Sequence, residues 1–334
     1  MNAPLVEPRE TGEIVRDKPA LLSCIIPAYN EADNLPHLVP ELTAALSELA
    51  HQVELVVVDD GSRDDTLLQV ARLSQDYPIK WLALSRNFGK ENAITAGLDH
   101  VSGDVVIIMD ADCQHPVQVL SEFVRRWRQG YDMAYGVRQD REDQALWKRT
   151  ASRFFYALIS RGADVPIIPN AGDFRLMDRK VVDAIRSLPE RNRFMKGIYS
   201  WVGFNSIGVP FSPAERAVGE SRFSPVRLFE LAMSGLTSFS DIPLRIWSAI
   251  GGLVSLLAIF YGLYIIIRTL LFGVDLPGWA TLAAGVTFLG GIQLLSIGIL
   301  GEYISRVFSE VKQRPTYIVS KKQGFDDDRD DAPS

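Results

Sequence analysis

The sequence has few cysteines, and their positions exclude the common cysteine-based sites. Only two occur in 334 residues, Cys24 in an apolar run and Cys113 within an acidic motif. They lack the spacing of a zinc site and cannot form a disulfide framework. We therefore expect both thiols to stay reduced, as they would on the cytoplasmic side of a membrane.

A strong net charge is also missing. The formal net charge is −6, and residues 326–331 alone hold five aspartates and one arginine. The remainder is close to neutral, which argues against a nucleic-acid partner. Met1–Lys18 is polar and has no apolar segment of the kind found in signal peptides. We expect no signal peptide there, and a disordered segment over residues 1–20.

Two long uncharged runs near the C-terminus are the most prominent feature that is present. Residues 246–267 and 278–301 are each long enough to cross a bilayer as a helix. Because only a short linker joins them, they predict a transmembrane hairpin. The alternative is a buried helix pair in a soluble protein, although two uncharged runs of this length rarely fit inside a domain of this size.

Basic residues flank the two runs, and by the positive-inside rule they place both ends of the hairpin in the cytoplasm. They are Arg222, Arg227, Arg245, Arg306, Lys312 and Arg314. Just before the first run, residues 224–243 predict an amphipathic helix, with Ser224 as its cap and Pro225 at its first position. This could be an ordinary core-facing helix, but its position favours a helix at the membrane interface.

In the N-terminal half, apolar strand-like runs alternate with helix patterns. The runs are Leu21–Pro27, Leu55–Val58, Ile79–Leu84 and Val105–Met109. This alternation predicts an α/β fold with a mostly parallel sheet. Each run is followed by a polar or glycine-containing loop, and all of these loops should meet at one edge of the sheet. That edge is where open α/β sheets bind ligands.

The last of these runs leads into Asp110-Ala111-Asp112-Cys113-Gln114. Two carboxylates spaced i, i+2, with the neutral oxygen of Gln114 nearby, can hold a hard divalent cation that also binds substrate phosphates. A solvated turn is the ordinary explanation for such a tripeptide. The regular recurrence of site-like loops after successive strands favours the metal site.

Further candidates follow the acidic motif. A basic run begins at Arg138 and could cover anionic phosphates, although a solvated helix face is the default explanation. Asp173, which follows Gly172, could point into a cleft, or could simply pair with Arg175 or Arg179. A polar loop extends from Arg216 to Arg222.

Taken together, these motifs resemble glycosyltransferase family 2, in particular the polyprenyl-phosphate (dolichol-phosphate mannose synthase-like) group and its bacterial bactoprenol-phosphate glucosyltransferases. The resemblance extends over about residues 21–315. It rests on seven motifs in order: Pro27–Glu31, Val58–Ser62, Arg86–Lys90, Asp110–Pro116, Tyr135–Arg138, Gly172–Leu176 and Gly219–Arg222.

The resemblance implies a fold and a domain organisation. The fold would be a GT-A, Rossmann-like α/β domain over residues 21–223, followed by the interfacial helix at 224–243. The hairpin would occupy residues 244–305, and residues 306–334 would form a cytoplasmic tail.

The resemblance also assigns residues. Donor or nucleotide binding falls to Pro27, Tyr29, Glu31, Val58, Asp60, Lys90, Asp110 and Ala111. The metal ligands, for Mg²⁺ or Mn²⁺, would be Asp110, Asp112 and Gln114. Donor and lipid phosphates would be bound by Arg138, Arg216, Ser221 and Arg222, and the catalytic set would be Asp112, Gln114 and Asp173. The chain departs from the family at Cys113, where an apolar residue is usual, and at Arg222, where lysine is commoner.

The implied reaction is an inverting transfer of a hexose from a nucleotide sugar to undecaprenyl or another polyprenyl phosphate. Glucose from UDP-glucose is the expected donor, while UDP-GlcNAc, UDP-galactose and GDP-mannose stay open. Asp173 would act as a base or orient the substrate, and we favour orientation. The enzyme would be a two-span protein of the bacterial inner membrane that supplies cell-envelope glycosylation. Its expected partners are further copies of itself, for example in a tetramer, a flippase and a downstream glycosyltransferase.

Two other functions agree less well with the sequence. A processive polysaccharide synthase would carry a Gln-x-x-Arg-Trp motif, but the only Arg-Trp pair, Arg126-Trp127, lies too close to Asp112. A membrane-anchored binding module without activity is disfavoured because the acidic pair and the phosphate-facing arginines are all present.

Overall fold

The structure is a computed structural model, and it describes residues 15–138, 171–191, 193–212 and 278–325. Between residues 251 and 272 it describes individual positions only. Predictions that concern residues 139–170 and 213–250 therefore lie outside the described part of the chain.

The first half alternates strand and helix, as the hydrophobic pattern predicts. Its elements are β1 (Leu21–Ala28), α1 (Leu35–Leu49), β2 (Gln52–Asp59), α2 (Thr66–Leu73), β3 (Ile79–Leu84), α3 (Lys90–His100), β4 (Val105–Ile108) and α4 (Val119–Arg128). All four residues of β4 are apolar and buried, as expected for a strand that is covered on both faces of the sheet. Helix α1 buries only one stripe, which includes Leu35, Leu42 and Leu46.

The second half contributes strands of mixed direction and one long helix. Its elements are β5 (Met133–Arg138), β6 (Ala171–Asp178), α5 (Arg179–Arg186), α6 (Met195–Trp201), β7 (Ser206–Phe211), α7 (Trp279–Val311) and β8 (Val319–Gln323). Strand β8 was not predicted, because residues 306–334 were expected to form a cytoplasmic tail.

Within the described residues, the strands form one sheet in the order β7-β5-β6-β4-β1-β2-β3-β8. The pairs β1–β2, β1–β4, β2–β3 and β5–β7 are parallel. The pairs β4–β6, β5–β6 and β3–β8 are antiparallel. The predicted α/β class with a mostly parallel sheet is therefore confirmed, and an antiparallel strand lies directly beside β4.

One residue before β1, within the segment predicted to be disordered, contacts the sheet domain. The Arg16 guanidinium forms ion pairs with Asp132 at 2.8 Å and with Asp178 at 3.2 Å. Its Nη1 also donates to the carbonyl oxygen of Tyr131 at 2.8 Å. Residue 16 is thus tied to the sheet domain by charge, a contact that composition alone could not reveal.

Helix α7 contains the segment that could cross a membrane. By length and composition, Phe288–Val311 is the one candidate span among the described residues. The predicted second span ends at residue 301, whereas α7 continues to Val311, because residues 302–311 contain no proline or glycine. For the predicted first span, the described positions between 251 and 272 are all helical.

The chain divides into two compact units. The first comprises residues 1–160, 164–224 and 315–334, and the second comprises residues 161–163 and 225–314. The first unit includes the last twenty residues because β8 pairs with β3.

Candidate active site

The loops at the carboxyl edge of the sheet enclose a cleft of about 310 Å³. Its walls include most of the residues predicted to bind the donor and the metal: Pro27, Tyr29, Glu31, Asp60, Lys90, Asp110, Ala111 and Asp112. Val58 and the predicted metal ligand Gln114 are the exceptions. The side chain of Val58 is completely buried in the core. The convergence of loops that the strand pattern predicts therefore takes place, and Val58 supports the sheet rather than the wall of the cleft.

The loops after β1 and β2 are joined by hydrogen bonds. The Asn30 amide donates to the Ser62 hydroxyl at 2.9 Å, and the Arg63 amide donates to the Asn30 side-chain oxygen at 2.9 Å. Asn30 can do this because its backbone is left-handed, with φ of 57°, a conformation that asparagine tolerates. The two loops thus form one wall, and neighbouring Tyr29 stays 40% exposed at the cleft.

Asp60 fixes the loop between β3 and α3. Its two carboxylate oxygens accept the amide protons of Phe88 at 2.7 Å and Gly89 at 2.9 Å. Burial raises the pKa of Asp60, and the two amides oppose that shift. Both oxygens already have backbone partners, so Asp60 positions the loop that leads to Lys90 at the start of α3, in addition to lining the cleft.

The acidic motif lies immediately after β4. One ligand atom from each of Asp110, Asp112 and His115 lies within 4.8 Å of the other two. The Gln114 amide donates to Asp112 Oδ1 at 3.1 Å, which folds the motif back on itself. Carboxylate oxygens are the ligands that hard divalent cations prefer, and imidazole also binds Mn²⁺. These ligand types therefore fit the predicted Mg²⁺ or Mn²⁺.

His115 was not predicted as a site residue. Its ring stacks on Phe174 with centroids 4.3 Å apart and planes 9° apart. The Asp110 amide points at His115 Nδ1, 3.4 Å away. Burial lowers the pKa of His115, so the ring favours the neutral form that can bind a metal. The sequence signal was present, since His115 follows the predicted ligand Gln114 directly.

The predicted ligand Gln114 has another partner in the structure. Its Oε1 accepts a hydrogen bond from Arg138 Nη2 at 2.9 Å. Arg138 is the predicted phosphate-binding residue at the end of β5. The contact brings this arginine to the acidic motif, 24 positions away in sequence.

Lys90 joins two of the predicted carboxylates. Its Nζ lies 2.6 Å from Asp110 Oδ1 and 2.9 Å from Asp173 Oδ2. The alternative partners considered for Asp173 are engaged elsewhere: Arg175 Nη2 donates to the Gly172 carbonyl and Arg179 donates to Gly103. Burial raises the pKa of Asp173, but the Lys90 ammonium, together with the charges of Arg175 and Lys196, holds it below its ordinary value. The sequence grouped these residues in one site without showing that they pair.

A half-buried glutamate, Glu91, follows Lys90 in α3. Glu91 Oε2 accepts the amide proton of Met195, at the start of α6, at 2.7 Å. Burial, reinforced by the charge of Asp173, raises the pKa of Glu91 to about 7.

A further contact joins β6 to α6: the Arg175 guanidinium carbon lies 3.2 Å from the centroid of the buried Tyr199 ring. Neither contact has a local sequence signal.

Part of the predicted phosphate site lies outside the described residues. Arg216, Ser221 and Arg222 belong to this part, as does the basic run after Arg138. Their roles stay predictions.

Two protein families match the chain. Residues 23–186 match the family described as Glycosyl transferase family 2, and residues 242–307 match the family described as GtrB C-terminal hairpin. The second match spans the region of the two predicted membrane helices.

Several curated proteins are similar over nearly the whole chain. The SfII prophage-derived bactoprenol glucosyl transferase of Shigella flexneri is 43% identical over 90% of this chain and 97% of its own. The prophage bactoprenol glucosyl transferase homolog of Escherichia coli is 41% identical over 90% of this chain and 98% of its own. An uncharacterized glycosyltransferase of Synechocystis is 45% identical over 91% of this chain and 96% of its own.

A solved structure of the Mycobacterium tuberculosis glucosyl-3-phosphoglycerate synthase is a more distant match. It is 17% identical with a TM-score of 0.46, over 65% of this chain and 78% of its own. That likeness is too distant to indicate a substrate.

Proposed function

Because the chain belongs to Glycosyl transferase family 2, we propose that it transfers glucose from UDP-glucose to a polyprenyl phosphate at the cytoplasmic face of the membrane. The observation that carries this proposal is the similarity to proteins named bactoprenol glucosyl transferase over 90% of the chain. That similarity includes the hairpin region as well as the sheet domain. A glucosyl donor and a lipid acceptor follow from those names together with the cleft described above.

The cleft supports a nucleotide-sugar donor. Tyr29 offers an exposed ring at one wall, and Asp110 and Asp112 lie at another. Asp110 and Asp112, with Gln114 or His115, would hold Mg²⁺ or Mn²⁺, which neutralises charge on the departing diphosphate. Arg138 carries a positive charge to the same edge of the sheet, where it would contact a phosphate.

The proposed reaction is a single displacement. A phosphate oxygen of the lipid attacks the anomeric carbon of glucose, the bond from that carbon to the UDP oxygen breaks, and the configuration inverts. A phosphate monoester has its second pKa near about 6, so the acceptor is already mostly dianionic at neutral pH. Such a nucleophile needs no general base. The Lys90 ammonium lowers the pKa of Asp173 against the effect of burial, which favours an orienting role for this carboxylate over proton removal.

Exposed apolar side chains support the membrane hairpin. In α7, Leu294 and Val311 are each 72% exposed, and in the helical positions before it Phe272 is 82% exposed. Such residues are stable in lipid and costly in water. We therefore propose a two-helix hairpin over residues 244–305 with both termini cytoplasmic, after an interfacial helix at 224–243.

The same proposal includes three finer points. They are the GT-A domain at 21–223, self-association into an oligomer such as a tetramer, and cooperation with a flippase and a further glycosyltransferase.

The test is the formation of a labelled glycolipid. Membranes from cells that express the protein are incubated with radiolabelled UDP-glucose and a polyprenyl phosphate, and the organic-extractable label is counted. We expect labelling that EDTA abolishes and that Asp110→Ala with Asp112→Ala reduces at least 100-fold. The matched control is Asp76→Asn. Asp76 is exposed and lies between α2 and β3, at the opposite edge of the sheet, so its substitution should leave the labelling unchanged.

Parallel reactions with UDP-GlcNAc, UDP-galactose and GDP-mannose test the sugar. Stronger labelling from one of these donors would contradict the glucose assignment while leaving the lipid chemistry intact. Full labelling by the double alanine variant would contradict the proposed site.

A further inference from the structure

Lys90 holds two carboxylates that come from neighbouring strands. In the β4–β6 pair, Ile108 lies opposite Arg175. Continued by two residues, this antiparallel register places Asp110 opposite Asp173. Two like charges directly across a strand pair repel each other. The Lys90 ammonium lies between them, within 2.9 Å of both, and offsets one of the two negative charges.

The Lys90 contact uses the oxygens that a metal would need. Its Nζ lies 2.6 Å from Asp110 Oδ1 and 2.9 Å from Asp110 Oδ2, so both oxygens of this predicted ligand contact the ammonium. A divalent ion on Asp110 would compete for the same oxygens and would be repelled by the nearby ammonium. Lys90 and the metal therefore cannot both hold Asp110 in this way.

The Lys90 side chain is able to leave Asp110. It is 44% exposed, whereas the side chain of Asp173 is only 13% exposed. A flexible four-carbon chain with one exposed side can change partner without repacking the core. Asp173 keeps one buried oxygen, Oδ1, that has no hydrogen-bond partner, so this carboxylate can accept another donor when the ammonium shifts.

We propose that Lys90 is a resident counter-ion that occupies Asp110 in the metal-free protein and makes metal binding depend on the donor diphosphate. This inference rests on the proposed function for the identity of the ion and the donor. Without a nucleotide, the metal must displace an ammonium and gains no anionic partner. With the nucleotide bound, the diphosphate adds negative charge that can receive both the metal and the released ammonium. Metal and nucleotide then strengthen each other's binding by the same factor.

The test measures Mn²⁺ affinity with and without UDP, by the electron paramagnetic resonance signal of free Mn²⁺. The readings are corrected for the Mn²⁺–UDP complex in solution, and the purified full-length protein is used. We expect wild type to bind Mn²⁺ weakly alone and about tenfold or more tightly with UDP. Lys90→Met should bind Mn²⁺ without UDP about tenfold more tightly than wild type, and UDP should add less.

Two further variants make the result specific. Lys196→Met removes a positive charge that acts on Asp173 and Glu91 from α6, and it should leave Mn²⁺ affinity within about twofold of wild type. Lys90→Gln is neutral but can still donate to both carboxylates, so it replaces Lys90→Met if the latter fails to fold. Thermal unfolding of each variant reports whether it is folded.

The outcomes separate the two proposals. Unchanged or weaker Mn²⁺ binding by the folded neutral variants, without UDP, overturns the counter-ion role even if wild type binds Mn²⁺ normally. Absence of Mn²⁺ binding in wild type and in all variants, with or without UDP, overturns the metal site of the proposed function as well. If Lys196→Met gained as much Mn²⁺ affinity as the Lys90 variants, the loss of any nearby positive charge would explain the effect. That result would also overturn the specific role of Lys90.

Discussion

The carboxylates of Asp60 and Asp173 are held by other groups of the protein before any substrate arrives. Asp60 has both oxygens on backbone amides of the next loop, and Asp173 has one oxygen on Lys90. Hydrogen bonds to charged groups are worth about 1.5 to 3 kcal/mol each when they are protected from water. The carboxylates are therefore preorganised, which is what positioning catalysis requires.

The first prediction concerns Asp173. Asp173→Asn keeps the size of the side chain but loses the charge that holds Lys90, so we expect turnover to fall roughly 10- to 100-fold. Because the pKa of Asp173 is already below its ordinary value, the loss should be the same fraction at pH 7 and pH 9. Steady-state glycolipid synthesis at both pH values measures this.

Two results would contradict the orienting role of Asp173. Turnover close to that of wild type would mean that the carboxylate is not needed. Recovery of the variant at pH 9 would indicate that Asp173 acts as a base.

At the scale of elements, distant segments are connected by a few polar contacts. Glu91 in α3 accepts the first amide of α6. Tyr317, just before β8, donates to Asp99 in α3 at 2.9 Å. Both contacts end on α3, the helix that begins with Lys90. The orientation of α3 thus depends on segments about 100 and 220 residues away.

The pH dependence of stability should reveal Glu91. Burial raises its pKa to about 7 from an ordinary 4.5, so the folded state binds this proton more tightly than the unfolded state. The resulting stability is fully present below about pH 4.5 and is lost as the pH rises through about 7. Glu91→Gln is neutral at every pH and can still accept the Met195 amide. It should therefore be more stable than wild type at pH 8, by about 2 kcal/mol.

Thermal unfolding at pH 8 and pH 5 measures the effect of Glu91→Gln. The gain should amount to several degrees at pH 8 and nearly vanish at pH 5. Glu41→Gln, on the exposed side of α1, is the control and should show no such difference. A gain of the same size at both pH values would rule out titration of Glu91 as the cause.

The contact at β8 gives a further prediction. Tyr317→Phe removes one hydroxyl and leaves Asp99 able to bind water, so we expect a loss of about 1 kcal/mol. This corresponds to a decrease of roughly 2 to 4 °C in the melting temperature. Ser320→Ala removes the hydroxyl of an exposed residue of β8, one that donates to the Ala83 carbonyl oxygen instead of a charged group, and should cost less. A loss from Ser320→Ala as large as that from Tyr317→Phe would contradict the importance of the Asp99 contact.

At the scale of the whole molecule, a sheet domain is combined with a long apolar helix, and many apolar side chains of that helix are exposed among the described residues. The first unit has a continuous buried core across the sheet. Helix α7 belongs to the second unit, and its apolar side chains are exposed. This contrast in exposure is expected when one unit folds in water and the other lies in lipid.

Arginine substitutions at two equally exposed positions test the membrane assignment. Leu294 and Val311 are both 72% exposed, but only Leu294 lies deep within the proposed span. Leu294→Arg should lower the membrane-extracted fraction and the glycolipid yield, because a central arginine costs about 2.5 to 3.5 kcal/mol. Val311→Arg should be tolerated, since an arginine at the helix end can reach the interface. Equal effects, measured by carbonate extraction, would indicate that α7 lies in water.

The sequence by itself determined the parts of this protein that depend on neighbouring residues. The apolar runs that alternate with helix patterns located the strands of the first half, and the last of these runs placed Asp110 and Asp112 at the end of β4. The length of the second uncharged run, residues 278–301, predicted a span that overlaps the candidate span Phe288–Val311 in α7. These features follow from local periodicity and from the preference of apolar groups for a dry environment, which any stretch of chain expresses without knowing its neighbours.

Only the tertiary structure decided which of these residues meet. Lys90, Asp110 and Asp173 come together because β6 pairs antiparallel with β4, an order that no local pattern encodes. The return of β8 to β3 and the contact of Gln114 with Arg138 depend in the same way on the order of the sheet. Contacts between distant residues depend on how whole elements pack, and that packing minimises the free energy of the complete chain rather than of any segment.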